Sequence, residues 1–140
     1  MKFLSSSAAE TKKFAFDFAR NNSFRVIALS GELGAGKTTF TQGFAKGLGI
    51  RKRIISPTFV FVRRYSLQQR TNFFHVDAYR VRSKNDLKGL GLREIFTDPG
   101  NLVLIEWAEN VREILPKGMM WVRMKHGTKE NERVILISNY

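Results

Sequence analysis

Between the apolar run FRVIAL and the stretch TTFTQGFAKGLG, the chain carries SGELGAGKTTF, Ser30 to Phe40. Gly31, Gly36, Lys37 and Thr38 satisfy G-x-x-x-x-G-K-S/T, and the strand, loop, helix order around them is the context in which that pattern has a mechanism. Glycines let the backbone turn sharply and present successive N–H groups to an anion, and the following helix adds the positive end of its dipole. The loop is therefore expected to hold the phosphates of a nucleoside triphosphate along Gly34, Ala35, Gly36, Lys37, Thr38 and Thr39. Lys37 would reach the terminal phosphates as a point charge, and the Thr38 hydroxyl would ligate a magnesium ion bridging them.

A loop of this kind follows a buried strand and opens a helix, which commits the chain to an α/β arrangement. Ser6 or Ser7 can cap a helix over Ala8 to Asn21, with Phe14, Ala15, Phe18 and Ala19 on one apolar face. Gly49 stops the helix after the loop. From Ile54 the pattern changes: TFVFVRRYS and RTNFFHVD flank LQQ as an antiparallel hairpin. SKNDLKGLGLREIF reads as a broken helix capped by Ser83, NLVLIEW as a second buried strand, and AENVREIL as a short helix closed by Pro116. MMWVRMKH and RVILIS form a terminal hairpin around GTKENE. With no repeat and no linker, residues 1–140 read as one domain, a mixed parallel and antiparallel sheet flanked by helices.

Phosphoryl chemistry on such a loop needs an acidic residue at the end of a neighbouring buried strand, to hold magnesium directly or through water. Glu106 ends NLVLIE, where burial of a carboxylate is costly unless a cation pairs with it. Asp77 ends FFHVD in the same manner and reads as a metal or water-positioning group, or as a structural pair with Arg80. SPTF, Ser56 to Phe59, places hydroxyls on a segment stiffened by Pro57, where a loop sensing the terminal phosphate is often found. Arg63, Arg64 and Arg80 are candidates for stabilising charge in transfer, with none preferred. His75 and Trp107 read as packed side chains, and His126 lies beside a turn with no visible partner.

Composition narrows the function class. No cysteine is present, which excludes disulfides, thiolate metal sites and cysteine nucleophiles. No apolar segment reaches membrane-spanning length and the first residues lack a secretory signal, so the expected compartment is the cytoplasm. The formal net charge is +12, from 24 Lys and Arg against 12 Asp and Glu, and such a field attracts polyanions, nucleic acid first. Three uses of the loop compete. A GTPase would need an N-K-x-D segment, which SKND does not supply. A small-molecule kinase would need an arginine-rich lid, for which YRVRSK is a faint candidate. An ATP-driven accessory protein would set a conformation that a partner reads. An RNA-binding module with a vestigial nucleotide site is the non-enzymatic alternative.

GELGAGKTTFTQGFAKGLG, SPTFVFVRRY, FFHVDAYR, LGLREIF and LVLIEWAENVREILP stand in the order and spacing of the bacterial TsaE family, formerly YjeE, and the chain resembles that family over nearly its whole length. The resemblance implies a weak ATPase with a P-loop α/β fold, binding ATP and Mg2+. It implies a role in making threonylcarbamoyladenosine beside the anticodon of tRNAs that read codons starting with A. TsaD and its partner TsaB are the implied partners, with hydrolysis resetting their complex. Carried over by position, Thr38 and Glu106 would hold magnesium, Lys37 and Asp77 would serve catalysis, and Asp77 would assist the attacking water. Thr11 matches a threonine near the adenine end of the family's pocket, and Thr58 belongs to the switch-like segment. The charge of +12 is not something the resemblance implies; tRNA contact through the basic surface and an acidic partner are both expectations it leaves open.

Overall fold

The computed structural model describes residues 1–54, 62–67 and 71–139. Its elements run β1 (Lys2–Ser5), α1 (Ala8–Asn21), β2 (Val26–Gly31), α2 (Lys37–Gly47), β3 (Val62–Ser66), β4 (Asn72–Asp77), α3 (Leu92–Thr97), β5 (Asn101–Glu106), β6 (Met120–His126) and β7 (Arg133–Asn139). They build one sheet in the order β1-β7-β6-β2-β5-β4-β3. The four inner strands β6, β2, β5 and β4 are parallel to one another, and hairpin partners close each side antiparallel. The mixed α/β sheet read from the sequence is what forms.

Strand β2 is central because its apolar run satisfies both faces of the sheet, as parallel interiors require. Ile27 and Leu29 face one cluster, with Phe40, Phe44 and Phe73; Val26 and Ala28 face the other, with Phe96, Val103, Ile105 and Trp121. The expected face of α1 is used as read: Ala15 is buried, and Phe14, Phe18 and Ala19 pack against the first cluster. Ser7 is the cap, its side chain accepting from the Glu10 backbone N–H.

Helices α1 and α2 meet at backbone distance through Gly43 and Gly47. A Cβ on Gly43 would run into the backbone of Lys12, and one on Gly47 into Phe16 and Ala19. These glycines look wasteful in a helix, since alanine is favoured there by about 1 kcal/mol. The obstacle is main chain that cannot swing aside, so crowding prevails. Gly43→Ala is expected to lose about 1–3 kcal/mol of stability in urea unfolding, in spite of its better helix propensity.

Three local readings change. Lys2–Ser5 forms a strand on the edge of β7, Phe3 opposite Ile135, where none was expected. AENVREIL is a 3₁₀ segment, Ala108–Ile114, because Trp107 enters it with φ 57° and Val111 breaks its dihedrals. The broken helix resolves into a 3₁₀ turn, Lys84–Leu87, with a capping box between Ser83 and Asp86, and then α3 behind Gly91 at φ 65°. The hairpin pairs Val62–Ser66 with β4; the rest of its first arm, SPTF and Thr58 included, lies outside the described residues.

Candidate nucleotide-binding site

Strand β2 ends at Gly31, and the chain turns back over the sheet to begin α2 at Lys37. Gly34 at φ 76° and Gly36 at φ 99° adopt left-handed conformations that side chains rarely tolerate. At Gly31 an added Cβ would meet the Met124 carbonyl of β6. Ala35, between the two turning glycines, is fully buried and fastens the loop to the core. The result is a short arch of main chain whose N–H groups and helix start are of the kind that binds anions.

Next to this arch lies a cavity of about 380 Å3 lined by Gly34, Gly36, Lys37, Thr38, Thr39, Asp77, Glu106 and three apolar side chains, Leu33, Tyr79 and Trp107. Seven of the residues singled out from the sequence are thus gathered round one space. The sheet explains the acids: β4 and β5 are parallel and in register with Asp77 opposite Glu106, so both strands deliver a carboxylate at the same level. Thr11 is not among the lining residues. It is buried at the start of α1, its hydroxyl 2.7 Å from Ser5 Oγ.

The Lys37 ammonium donates to Gly31 O at 2.5 Å and to Glu32 O at 2.8 Å, and stands 3.9 Å from the Trp107 ring centroid. Burial pulls its pKa below the ordinary lysine range; Glu109, Glu106, Asp77 and Glu32 oppose that by favouring the charged form. Trp107 is therefore more than packing. Its left-handed backbone turns the indole over the lysine, and Tyr79 meets the indole with ring centroids 4.9 Å apart. A positive φ on a tryptophan is costly, and such strain concentrates at working sites.

Glu106 is 2% exposed and gathers donors from two elements. Thr38 Oγ1 donates to Oε1 at 3.2 Å, Thr41 Oγ1 lies 3.3 Å from Oε2, and His75 Nε2 is 2.6 Å from Oε2. Thr41 also donates to Lys37 O at 2.8 Å. His75 and Thr41 meet this carboxylate, a contact the sequence reading did not place there. The signal for His75 was its period-2 relation to Asp77, which places both on one side of β4; for Thr41, its place one helical turn beyond Thr38. With Nε2 donating to the carboxylate, His75 Nδ1 is a buried atom with no partner among the described residues. His75→Ala removes the shortest bond to a buried carboxylate and opens a hole beside it. A loss of about 2 kcal/mol or more is expected in chemical unfolding.

Asp77 accepts from the Tyr79 backbone N–H at 2.9 Å, and no ion pair with Arg80 is present among the described residues. Desolvation raises its pKa; the Tyr79 N–H counters this, while the Glu106 charge adds to it. The folded state thus holds the Asp77 proton more tightly than the unfolded chain. The stability this confers is complete below the ordinary aspartate value of about 3.9 and is lost as pH rises through the raised value. Asp77→Asn is expected to flatten that pH dependence and, near neutrality, to gain less than about 1 kcal/mol, because solvent screens a half-exposed group. Melting temperatures across pH 4 to 8 check both statements.

No arginine lines this cavity among the described residues, and neither Arg80 nor Arg82 of YRVRSK reaches it. Nor do the described residues contain a cluster of three or more His, Asp or Glu able to cage a metal. Thr38 and Glu106 instead supply a hydroxyl and one carboxylate, the sparse protein share that suits magnesium completed by phosphate oxygens and water. No helix among the described residues is long and apolar enough to cross a membrane.

The family described as "Threonylcarbamoyl adenosine biosynthesis protein TsaE" matches residues 5–135. A Bacillus subtilis (strain 168) protein named tRNA threonylcarbamoyladenosine biosynthesis protein TsaE is 42% identical over 76% of this chain and 66% of its own length. Relatives of the same name from Rickettsia prowazekii and Treponema pallidum are 39% and 35% identical; the first match covers 85% of this chain and 82% of that protein, the second 89% and 91%. The crystal structure of YdiB from Bacillus subtilis superposes with a TM-score of 0.77 and 36% identity, over 96% of this chain and 82% of that one. With a phosphate loop, two strand-end carboxylates and these likenesses in agreement, the chain belongs to the TsaE family of tRNA threonylcarbamoyladenosine biosynthesis proteins.

Proposed function

We propose that this protein is a weak ATP hydrolase that serves threonylcarbamoyladenosine synthesis on tRNAs reading codons that start with A. It acts in the cytoplasm with TsaD and TsaB, and ATP hydrolysis resets their complex between turnovers. The observation that carries this reading is the convergence of Lys37, Thr38, Asp77 and Glu106 on one cavity at the end of parallel strands β2, β4 and β5.

Each residue has a defined part. The loop from Gly34 to Thr39 binds the phosphates, and Lys37 exchanges its bonds to Gly31 O and Glu32 O for phosphate oxygens. Thr38 and Glu106 hold magnesium, which, when bound, neutralises charge developing on the phosphates. Asp77 faces the same space from the neighbouring strand and orients the attacking water. His75 and Thr41 keep the Glu106 carboxylate turned toward Thr38. Thr58, and Thr11 at the adenine end, are carried as nucleotide contacts by position in the family.

Reconstitution tests the role. Purified TsaB, TsaD and unmodified tRNA should accumulate the modified nucleoside over many turnovers only when this protein and hydrolysable ATP are both present. Sustained modification without the protein sinks the proposal. Transfer of labelled phosphate from ATP to a small molecule, with no partner protein present, would replace it with the kinase reading.

A further inference from the structure

At the far end of α2 from the phosphate loop, a second and larger cavity of about 800 Å3 opens between α1, α2 and the segment after Gly49. Five cations line it: Lys12 from α1, Lys46 from α2, and Arg51, Lys52 and Arg53 in succession. Among the described residues it shares none with the nucleotide cavity, and Lys46 lies nine residues past Lys37, about 14 Å along the helix. No carboxylate lines it among the described residues. The ion pairs among those residues are Lys13 with Asp17 and His75 with Glu106, so none of the five is neutralised in that way.

A run of charge is ordinarily a solvated surface, and a lysine in the last turn of a helix complements the dipole. Neither accounts for three separate segments turning like charges onto one concavity, an arrangement that repels itself until an anion enters. Ile50 and Ile54, both buried, add apolar surface to the same cavity. We propose that this cavity is a docking site for the phosphodiester backbone of RNA. Five cations exceed what a single phosphate can engage and suit successive phosphates of a strand. Arg51 and Arg53 can fork onto phosphate oxygens and stack on bases. The choice of RNA over an acidic protein rests on the reading in tRNA modification given above.

The experiment titrates the purified full-length protein, without partners, against a labelled unmodified tRNA transcript at several salt concentrations. With five contacts, log K is expected to fall with log salt at a slope of about −3.5 to −4.5. Arg51→Gln with Arg53→Gln should weaken binding about tenfold or more and reduce the slope by about 2. Arg63→Gln with Arg64→Gln, exposed on β3 and equal in charge removed, should stay within about twofold of the wild type. Circular dichroism and unchanged basal ATP hydrolysis show that the cavity variant is folded. Equal losses from both pairs, no tRNA binding at low salt, or displacement of tRNA by inorganic phosphate or polyglutamate at matching charge concentration each overturn the proposal. Because this assay contains neither TsaB nor TsaD, its failure leaves the reconstitution result standing, and the reverse also holds.

Discussion

Lys37→Ala is expected to abolish productive triphosphate binding while the protein stays folded. The side chain is the cation of a cavity whose surroundings include Glu109, Glu106, Asp77 and Glu32, the carboxylates that favour its charged form. Without the ammonium those acids repel a polyanion, so the loss exceeds one missing contact. A drop of about 10³-fold or more in kcat/KM is expected, in line with removing a principal electrostatic stabiliser of phosphoryl transfer. Stability should change little, because the bonds from Lys37 to Gly31 O and Glu32 O are offset by the cost of holding a partly desolvated ammonium. Lys37→Arg is the sharper control: a planar guanidinium keeps the charge but not the compact head that fits two carbonyls beneath the Trp107 ring. It should fail nearly as badly. Titration calorimetry with ATP and magnesium decides, and affinity within threefold of the wild type would remove Lys37 from the phosphate site.

Glu106→Gln carries the second large effect, and it acts on function and stability together. Thr38 Oγ1 and His75 Nε2 donate to the two carboxylate oxygens, and Thr41 Oγ1, whose single proton is shared with Lys37 O, lies 3.3 Å from one of them. An amide offers one oxygen and sets an NH2 group against the remaining donors. The threonine hydroxyls can rotate; His75 Nε2 can comply only by giving up its hydrogen to Nδ1, a buried atom with no partner among the described residues. A loss of about 1–3 kcal/mol in unfolding follows from leaving buried polar groups unpaired. Hydrolysis should fall about 10²-fold or more, with a raised magnesium requirement, as the carboxylate beside Thr38 loses its charge. Unaltered magnesium dependence would take Glu106 out of the metal's shell.

The phosphate loop was legible because its residue types are dictated by backbone geometry: Gly34 and Gly36 need positive φ, and the lysine must open a helix. Strands β2 and β5 were legible for a related reason, since a strand buried on both faces has to be a continuous apolar run. Edge strand β1 has no such signature. Its four residues alternate between exposed and covered, and SSS at its end resembles a cap more than a strand. His75 is packed as read, fully buried, but its partner was hidden for want of the third dimension. A histidine inside FFHVD satisfies a packing explanation, and only the register of β4 on β5, with α2 laid across it, shows that its ring ends at a carboxylate. Trp107 packs against the second cluster as read, but its left-handed backbone was not legible, because the alphabet carries no mark for it.

The close seam between Gly43, Gly47 and α1 limits how the proposed ATP cycle can be expressed in this molecule. The second half of α2 is riveted to its neighbour at main-chain distance, leaving no slack for it to slide or roll when phosphates come and go. Among the described residues, the strand-end turns at Asp77 to Tyr79 and at Trp107 form the other wall of the cavity, and they offer a nucleotide signal a path out of the site. Amide hydrogen exchange should therefore register nucleotide at those turns and stay flat along Gly43 to Gly47.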